Sequence, residues 1–258
     1  MTKTTSHTIA LSNWCMVCKS LKPNPVLITI PHDGLITADL AGFFDERKIG
    51  YRGRDMYVWP IAKEIIQAYP ANAIRGLMPR AFVDYNRSWP EPINYYPRTQ
   101  KEVHTALDDV RLSHFYRYYH DSISRLLKKS IRRFGKEKIL LMDLHGFAKQ
   151  PPYAPSEGYD LILGTGNRIT VPHGNTDILF AEHMCRLGYT VFVPKELSLG
   201  KEEDYYSADF TTRHHAEMHN VNVLQVEVAA RFRKREGLEI GQKLSIDIAE
   251  FLRLNYSL

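Results

Sequence analysis

The stretch KILLMDLHG, residues 138–146, joins a short run of β-forming apolar residues to a polar segment that contains His145. An earlier stretch, PVLITIPHDG at residues 25–34, repeats this order, with His32 in its polar segment. Apolar runs of this length, bounded by proline, glycine or polar residues, are typical of strands buried inside a sheet. We therefore predict two buried strands, each with a histidine near its carboxyl end. The two predicted strands cover residues 25–31 and 138–143.

Outward from these two strands, strand-like and helical patterns alternate along the chain. Helices are predicted at residues 55–69, 102–134, 175–187 and 240–255, the second of them as one helix or two. Further strands are predicted at residues 81–85, 160–163, 190–193 and 221–228, and a loop at the proline-rich residues 89–97. This alternation indicates an α/β fold with a mostly parallel sheet. Functional residues of such sheets gather beyond the carboxyl ends of the strands, where we expect both histidines.

The composition is that of a globular protein with a full core. The chain has 258 residues, of which 44% are hydrophobic and 24% charged, and we predict one domain over residues 1–258. The sequence contains no apolar run near the roughly 18 residues that a membrane-spanning helix needs. Its first thirty residues lack the continuous apolar stretch of a signal peptide. We therefore expect a cytoplasmic protein that does not bind membranes.

The formal net charge of +5 permits a nucleic-acid partner, but the basic residues are spread among acidic ones. The strongest basic cluster, KK at residues 128–129 with RR at residues 132–133, falls on a predicted helix. Such a cluster is typical of a solvated helix face rather than of a phosphate-binding surface. We therefore expect no nucleic-acid partner.

Three cysteines, Cys15, Cys18 and Cys185, are too few for a disulfide framework. The CMVC spacing of residues 15–18 has no second pair to complete a zinc knuckle, and it does not open a predicted helix as redox motifs do. We interpret the cysteines as reduced and incidental.

A histidine and a nearby glycine at each of two strand ends favour a metal site, because glycine allows close approach of a ligand. A catalytic zinc ion needs about three protein ligands and one open position for water. The candidates for the third ligand are Asp33, Asp39, Asp45, Glu46 and Asp55. Asp55 is favoured because it opens a predicted helix and projects toward the strand ends. The alternatives are that Asp55 only caps the helix and that His32 and His145 are structural.

Two further acidic residues have candidate roles near such a metal. Asp143 lies two residues before His145, on the same side of a strand, and can accept the ring N–H of a liganding histidine. Glu227 stands in the apolar segment LQVEV of a predicted strand and is our candidate general acid and base. Asp143 in a buried turn, and Glu227 facing solvent on an edge strand, are the alternatives.

Two polar segments offer candidate substrate-binding residues. Asn86 and Arg87 follow the predicted strand 81–85, and Arg213 and His214 follow Thr212. A planar guanidinium can hold a carboxylate through two hydrogen bonds. The alternative is that these side chains are solvated.

Five motifs occur in the order found in N-formylglutamate amidohydrolases, and the chain resembles this family over about residues 26–235. The motifs are PHDG (31–34), VDYNR (83–87), DLHG (143–146), TRH (212–214) and QVE (225–227). The resemblance implies a three-layer α/β/α fold of the phosphorylase/hydrolase-like type, with a mostly parallel mixed sheet, related to zinc carboxypeptidases. It matches His32, Asp55 and His145 to the ligands of one zinc ion and Glu227 to the catalytic acid and base. It also implies that Asn86 and Arg87 hold a carboxylate of the substrate.

Three features depart from the family pattern. ADF at residues 208–210 stands where the family usually has a Gly-Gly-Tyr-like turn, and Gly146 stands where a serine is common. Residues 200–207 form an insertion rich in charge and tyrosine. These departures predict a reshaped substrate pocket.

Together these observations predict a zinc-dependent amidohydrolase that acts on N-formylglutamate or a related small carboxylate-bearing N-acyl amino acid. The alternatives are a carboxypeptidase-like enzyme or another N-acyl amino acid deacylase, and a metal-binding protein without activity. The acyl group and the oligomeric state stay open at this point.

Overall fold

The structure, a computed structural model, describes residues 7–11, 15–35, 53–80, 83–89, 109–193, 206–234 and 237–256. Its strands form one sheet in the order β1-β2-β4-β3-β5-β8-β6-β7. The strands are β1 (His7–Leu11), β2 (Cys15–Ser20), β3 (Val26–Ile30), β4 (Asn72–Gly76), β5 (Leu140–Phe147), β6 (Leu161–Gly164), β7 (Val191–Phe192) and β8 (Asn222–Ala229).

The centre of the sheet is parallel and its margins are mixed. The neighbouring strands β4, β3, β5 and β8 run parallel to one another. On one side, β2 pairs with β4 in antiparallel fashion and β1 pairs with β2 in the same way. On the other side, β6 is antiparallel to β8 and parallel to β7. The prediction of a mixed, mostly parallel sheet is therefore confirmed.

Helices cover both faces of the sheet. They are α1 (Val58–Ala68), α2 (Asp109–Phe134), α3 (Thr176–Arg186), α4 (Phe210–His219) and α5 (Leu238–Tyr256). Buried side chains of α1, α3 and α5 share one core layer, and those of α2 and α4 share the other. This arrangement confirms the three-layer α/β/α fold. No helix in the described part of the chain is both long enough and apolar enough to cross a membrane.

The alternation of side chains along β5 and β8 sorts polar residues onto one face of the sheet. Leu141 and Val223 point into the core layer shared with α2 and α4. Asp143 and His145 continue the face of Leu141, and Glu227 continues that of Val223, because side chains two residues apart point to the same side. Their polar groups therefore collect near the carboxyl ends of two adjacent strands.

The predicted strand at residues 81–85 is wrong, since its described residues, 83–85, have no strand pairing and lead into a turn. Val83 and Tyr85 are both buried, so the apolar residues in this segment alternate as they would in a strand. Two of their backbone groups, however, bond to partners outside any strand. The Val83 N–H donates to the carbonyl of Pro79, and the Tyr85 carbonyl accepts hydrogen bonds from the side chains of His120 and Thr211. The strand in this part of the chain is β4.

Other differences concern two strands that were not predicted and the ends of two helices. The antiparallel pair β1 and β2 was not predicted, and it includes the CMVC segment, whose Cys15 and Cys18 are buried as free thiols. The helix predicted from residue 55 begins at Val58, and the helix predicted at 102–134 is described from Asp109 as one helix. Most of the predicted loop 89–97 and of the insertion 200–207 lies outside the described residues.

Candidate functional site

Two histidines and one aspartate meet at the carboxyl ends of the neighbouring strands β3 and β5. His32 lies just beyond β3 and His145 lies in β5, with their ring centroids 4.8 Å apart. The backbone N–H of Asp55 donates a hydrogen bond of 3.0 Å to the carbonyl of His32. The Oδ2 atom of Asp55 then lies 3.2 Å from Nδ1 of His145 and 3.5 Å from Nδ1 of His32. The structure thus brings together the three residues predicted as ligands, which we call the metal-site trio.

The metal-site trio suits a divalent ion by donor type and by spacing. One ligand atom from each residue lies within 4.8 Å of the others, and all three residues are buried. Nδ1 of His32 has no hydrogen-bond partner, and a buried polar atom without one costs free energy. Two imidazoles and one carboxylate are a frequent donor set of catalytic zinc sites.

Asp84 orients the ring of His32. Its Oδ1 atom lies 2.8 Å from Nε2 of His32, and its Oδ2 atom accepts a hydrogen bond of 2.8 Å from Nε of Arg80. Burial alone would raise the pKa of Asp84, but the charges of Arg80 and His32 hold this pKa well below its usual range. Asp84 lies inside the VDYNR motif, but its position in the sequence does not indicate this role.

Asp143 holds the ring of His145 in the way predicted from their spacing. Its Oδ2 atom lies 3.0 Å from Nε2 of His145, which leaves Nδ1 directed at Asp55. Thr29 donates a hydrogen bond of 2.6 Å to the other oxygen of Asp143. Burial would lower the pKa of His145, but Asp143 and Asp55 raise it well above its usual value. The site therefore has a negative potential that favours a cation.

Glu227 lies beside His145, because β5 and β8 are paired with these two residues in register. The side chain of Gln225 donates a hydrogen bond of 3.1 Å to Oε1 of Glu227. Burial raises the pKa of Glu227 to about 7, with a further contribution from the charge of Asp55, while His145 acts in the opposite direction. Strand β8 is interior to the sheet and Glu227 is buried, so the edge-strand alternative is excluded.

Asn86 and Arg87 lie next to the trio. Nδ2 of Asn86 is 3.4 Å from Nε2 of His145, and its Oδ1 accepts a hydrogen bond of 2.8 Å from the backbone N–H of Thr211. Arg87 forms an ion pair with Asp209, with 2.5 Å between Nη1 and Oδ2. Asn86 therefore ties α4 to the site, and Arg87 already contacts a carboxylate of the protein.

The TRH motif contacts the site through its first residue. Thr212 approaches Oδ2 of Asp143 at 3.4 Å. Arg213 is exposed and donates to the carbonyl of Ala208 at 2.6 Å, and His214 stacks on Phe210. Within the described residues, neither Arg213 nor His214 forms a hydrogen bond or ion pair with the metal-site trio. Their role in substrate binding stays a prediction.

Asp33, one of the alternative candidates for the third ligand, instead stabilises the segment around Asp55. Its carboxylate forms an ion pair of 2.6 Å with Arg54 and accepts a hydrogen bond of 2.7 Å from the backbone N–H of Trp59, in the first turn of α1. This fixes the start of α1 and the segment that carries Asp55. Asp39, Asp45 and Glu46 lie outside the described residues.

Arg233 is another residue whose role is not evident from the sequence. It is buried, and its guanidinium donates hydrogen bonds to the carbonyls of Met56, Phe147 and Val228. These carbonyls belong to the segment after Asp55 and to the carboxyl ends of β5 and β8. No local pattern could have identified this role, because Met56 is 177 residues away in the chain.

Comparisons with known proteins agree with this fold and set of motifs. A family model described as N-formylglutamate amidohydrolase matches residues 24–232. The chain is similar in structure to the N-formylglutamate amidohydrolase from Ralstonia eutropha, with a TM-score of 0.67 and 20% identity over 97% of this chain and 99% of that chain. It is also similar to a gene product from Agrobacterium tumefaciens, with a TM-score of 0.63 and 16% identity over 93% and 95% of the two chains. No curated protein matches the chain.

Proposed function

Because the chain belongs to the N-formylglutamate amidohydrolase family, we propose that it is a metal-dependent hydrolase of N-formylglutamate or a related small N-acyl amino acid. The observation that carries this proposal is the pairing of buried Glu227 with His145, which places a second carboxyl group next to the metal-site trio. A protein without activity would have no need of a second buried acid at this place, where burial without a partner is costly.

His32, Asp55 and His145 would hold one divalent ion, for which zinc is our first candidate because the donors are two imidazoles and a carboxylate. When bound, the ion supplies Lewis acidity to water and to the substrate carbonyl. Asp84 and Asp143 each accept a ring N–H and so keep the Nδ1 atoms of the two histidines directed at Asp55.

Glu227 is the general base and acid of the proposed reaction. It accepts a proton from the attacking water and returns this proton to the departing nitrogen of the amide. Burial raises the pKa of Glu227 above its usual value, toward the neutral range in which a carboxyl group can both accept and return a proton. Gln225 donates a hydrogen bond of 3.1 Å to Oε1 of Glu227 and so helps to orient the carboxylate.

The test measures metal content by elemental analysis and the release of formate from N-formylglutamate. We expect about one metal ion per chain in the wild type, loss of the ion in His145→Ala, and retention of the ion in Glu227→Gln with a rate lowered by roughly 10²- to 10⁴-fold. His173→Ala, a histidine outside the site, is the matched control and should retain both metal and activity.

Formate release by metal-free protein would overturn the proposal. Bound metal without formate release would exclude the formyl substrate, and a panel of acetyl, succinyl and peptidyl substrates would then identify the acyl group.

A further inference from the structure

Asp209 precedes the first residue of α4, at the N-cap position. An aspartate at this position normally accepts a hydrogen bond from the backbone N–H of the second or third helical residue. The side chain of Asp209 makes no such bond, because the N–H of Thr211 donates to Oδ1 of Asn86 instead. The carboxylate of Asp209 is therefore not needed for capping α4.

The carboxylate of Asp209 instead contacts Arg87, at 2.5 Å from Nη1. Both side chains are accessible, with 24% of Arg87 and 38% of Asp209 exposed, so a ligand can reach this ion pair. Neighbouring contacts define the position of Asp209. Its own N–H donates to Gln225 at 3.0 Å, and the preceding carbonyl accepts a hydrogen bond from Arg213 at 2.6 Å.

The ion pair lies at the edge of the catalytic site proposed above. Gln225, which holds the backbone of Asp209, also donates to Glu227. Arg87 follows Asn86, whose amide group lies 3.4 Å from the ring of His145. A carboxylate of the substrate that approached Arg87 would meet a guanidinium that is already neutralised, and the negative charge of Asp209 next to it.

We infer that Asp209 is a specificity-determining residue that competes with a substrate carboxylate for Arg87. The site then takes N-acyl amino acid derivatives in which the group beside Arg87 is an uncharged amide, in preference to the free acid. This inference rests on the proposed function. Like charges placed side by side disfavour a ligand strongly, whereas an uncharged amide can donate to Asp209 and accept from Arg87.

The test compares N-formylglutamate with its α-amide and its γ-amide as substrates of the wild type and of Asp209→Asn, which removes the charge and keeps the size. For the wild type we expect a lower KM for one of the amides than for the free acid. In Asp209→Asn, the KM for N-formylglutamate should fall roughly tenfold, with kcat within about twofold of the wild type.

Two controls isolate the ion pair. Glu217→Gln removes an exposed negative charge from the same helix and should leave every KM unchanged. In an Arg87→Ala background, Asp209→Asn should no longer lower the KM, because the cation for which the two carboxylates compete is absent. An unchanged KM for N-formylglutamate in Asp209→Asn, or an equal fall in the Arg87→Ala background, would overturn the inference.

Binding of glutarate, measured by calorimetry, separates this inference from the proposed function, because glutarate needs no turnover. If no variant hydrolyses an N-formyl compound or any member of the acetyl, succinyl and peptidyl panel, the proposed function fails. Glutarate binding that is roughly tenfold tighter in Asp209→Asn than in the wild type would still support competition at Arg87. Equal affinities in the two proteins would overturn it.

Discussion

Oδ1 of Asp84 lies 2.8 Å from Nε2 of His32, and this contact leaves only Nδ1 of the ring to face Asp55. Asp84 is itself fixed by Arg80 and by the backbone N–H of Asn86, at 2.8 Å each. The orientation of one proposed ligand therefore depends on a chain of contacts that ends at Arg80, a partly exposed residue outside the metal-site trio.

We predict that Asp84→Asn weakens metal binding by about 10- to 100-fold, because the ring of His32 loses its charged acceptor. Titration of the metal-loaded protein with a competing chelator measures this affinity. Asp177→Asn is the matched control, since Asp177 is another buried aspartate paired with an arginine, Arg168, and contacts no member of the trio. An unchanged affinity in Asp84→Asn would show that Asp84 does not support the site.

The sequence was sufficient to predict strands β3, β5 and β8 and the proximity of His32 and His145. Buried parallel strands are apolar throughout, so a histidine at the end of such a run stands out, as His32 and His145 do. The side-chain alternation of a strand also placed Asp143 beside His145 correctly. These inferences need only the period of a strand and the rule that ligands gather at the carboxyl ends of parallel strands.

Relationships between distant segments could not be predicted in this way. The alternation of apolar and polar residues at 81–85 indicates which side chains are buried, but it does not indicate whether the backbone pairs with another strand. The ion pair of Arg87 with Asp209 joins residues far apart in the chain. The sequence identified each residue separately, Arg87 as a candidate substrate ligand and Asp209 within a departure from the family pattern, but not their contact. Long-range polar contacts of this kind leave no periodic signal.

We predict that only Cys185 reacts with a thiol reagent in the native protein at pH 8. Cys185 is exposed, whereas Cys15 and Cys18 are buried. Burial, with a contribution from Cys18, raises the pKa of Cys15 to about 12, and burial also raises the pKa of Cys18. Since the thiolate is the reactive form, roughly one Cys15 in 10⁴ is ionised at this pH.

Counting of reactive thiols with a chromogenic disulfide reagent checks this prediction. One thiol per chain should react quickly in buffer, and all three should react in denaturant. Rapid reaction of two or three thiols in buffer would show that the CMVC segment is a reactive site.

We predict that acid destabilises the protein through a buried pair of histidines. Nε2 of His120 lies 2.9 Å from the carbonyl of Tyr85 and its Nδ1 lies 3.1 Å from Nε2 of His215. Burial and the charge of His214 lower the pKa of His120 to about 3, and burial and the charge of His120 lower the pKa of His215 well below its usual value. The ring of His120 is therefore neutral in the folded protein at pH 5, and the ring of His215 also resists protonation.

The unfolded chain binds a proton at His120 below about pH 6.5, whereas the folded chain binds it only near pH 3, so the free energy of unfolding falls as the pH drops. For His120 alone, the free energy of unfolding falls by about 2 kcal/mol between pH 6.5 and pH 5. Urea unfolding at several pH values, with a chelator present, measures this loss. His120→Gln should lose less free energy over the same interval than the wild type, and an equal loss in both would contradict the prediction.

The last prediction concerns Gly146, which stands where the family commonly has a serine. A Cβ atom at this residue would lie 2.3 Å from the guanidinium carbon of Arg233. That guanidinium cannot move aside easily, because it donates to the carbonyls of Met56, Phe147 and Val228. The backbone of Gly146 does not have the positive φ that only glycine adopts readily. The close approach of Arg233 is therefore the reason that this position needs glycine.

We expect Gly146→Ala to lower the free energy of unfolding by about 1–3 kcal/mol, the usual cost of an added methyl group in a packed interior. Arg233→Ala should also destabilise the protein, because it leaves buried carbonyls without their donor. In the double variant the clash is absent, so the combined loss should be smaller than the sum of the two single losses by at least about 0.5 kcal/mol. Urea denaturation of the four proteins at one fixed metal concentration measures this coupling. Strictly additive losses would show that Arg233 does not determine the residue at position 146, and that the glycine is there for another reason.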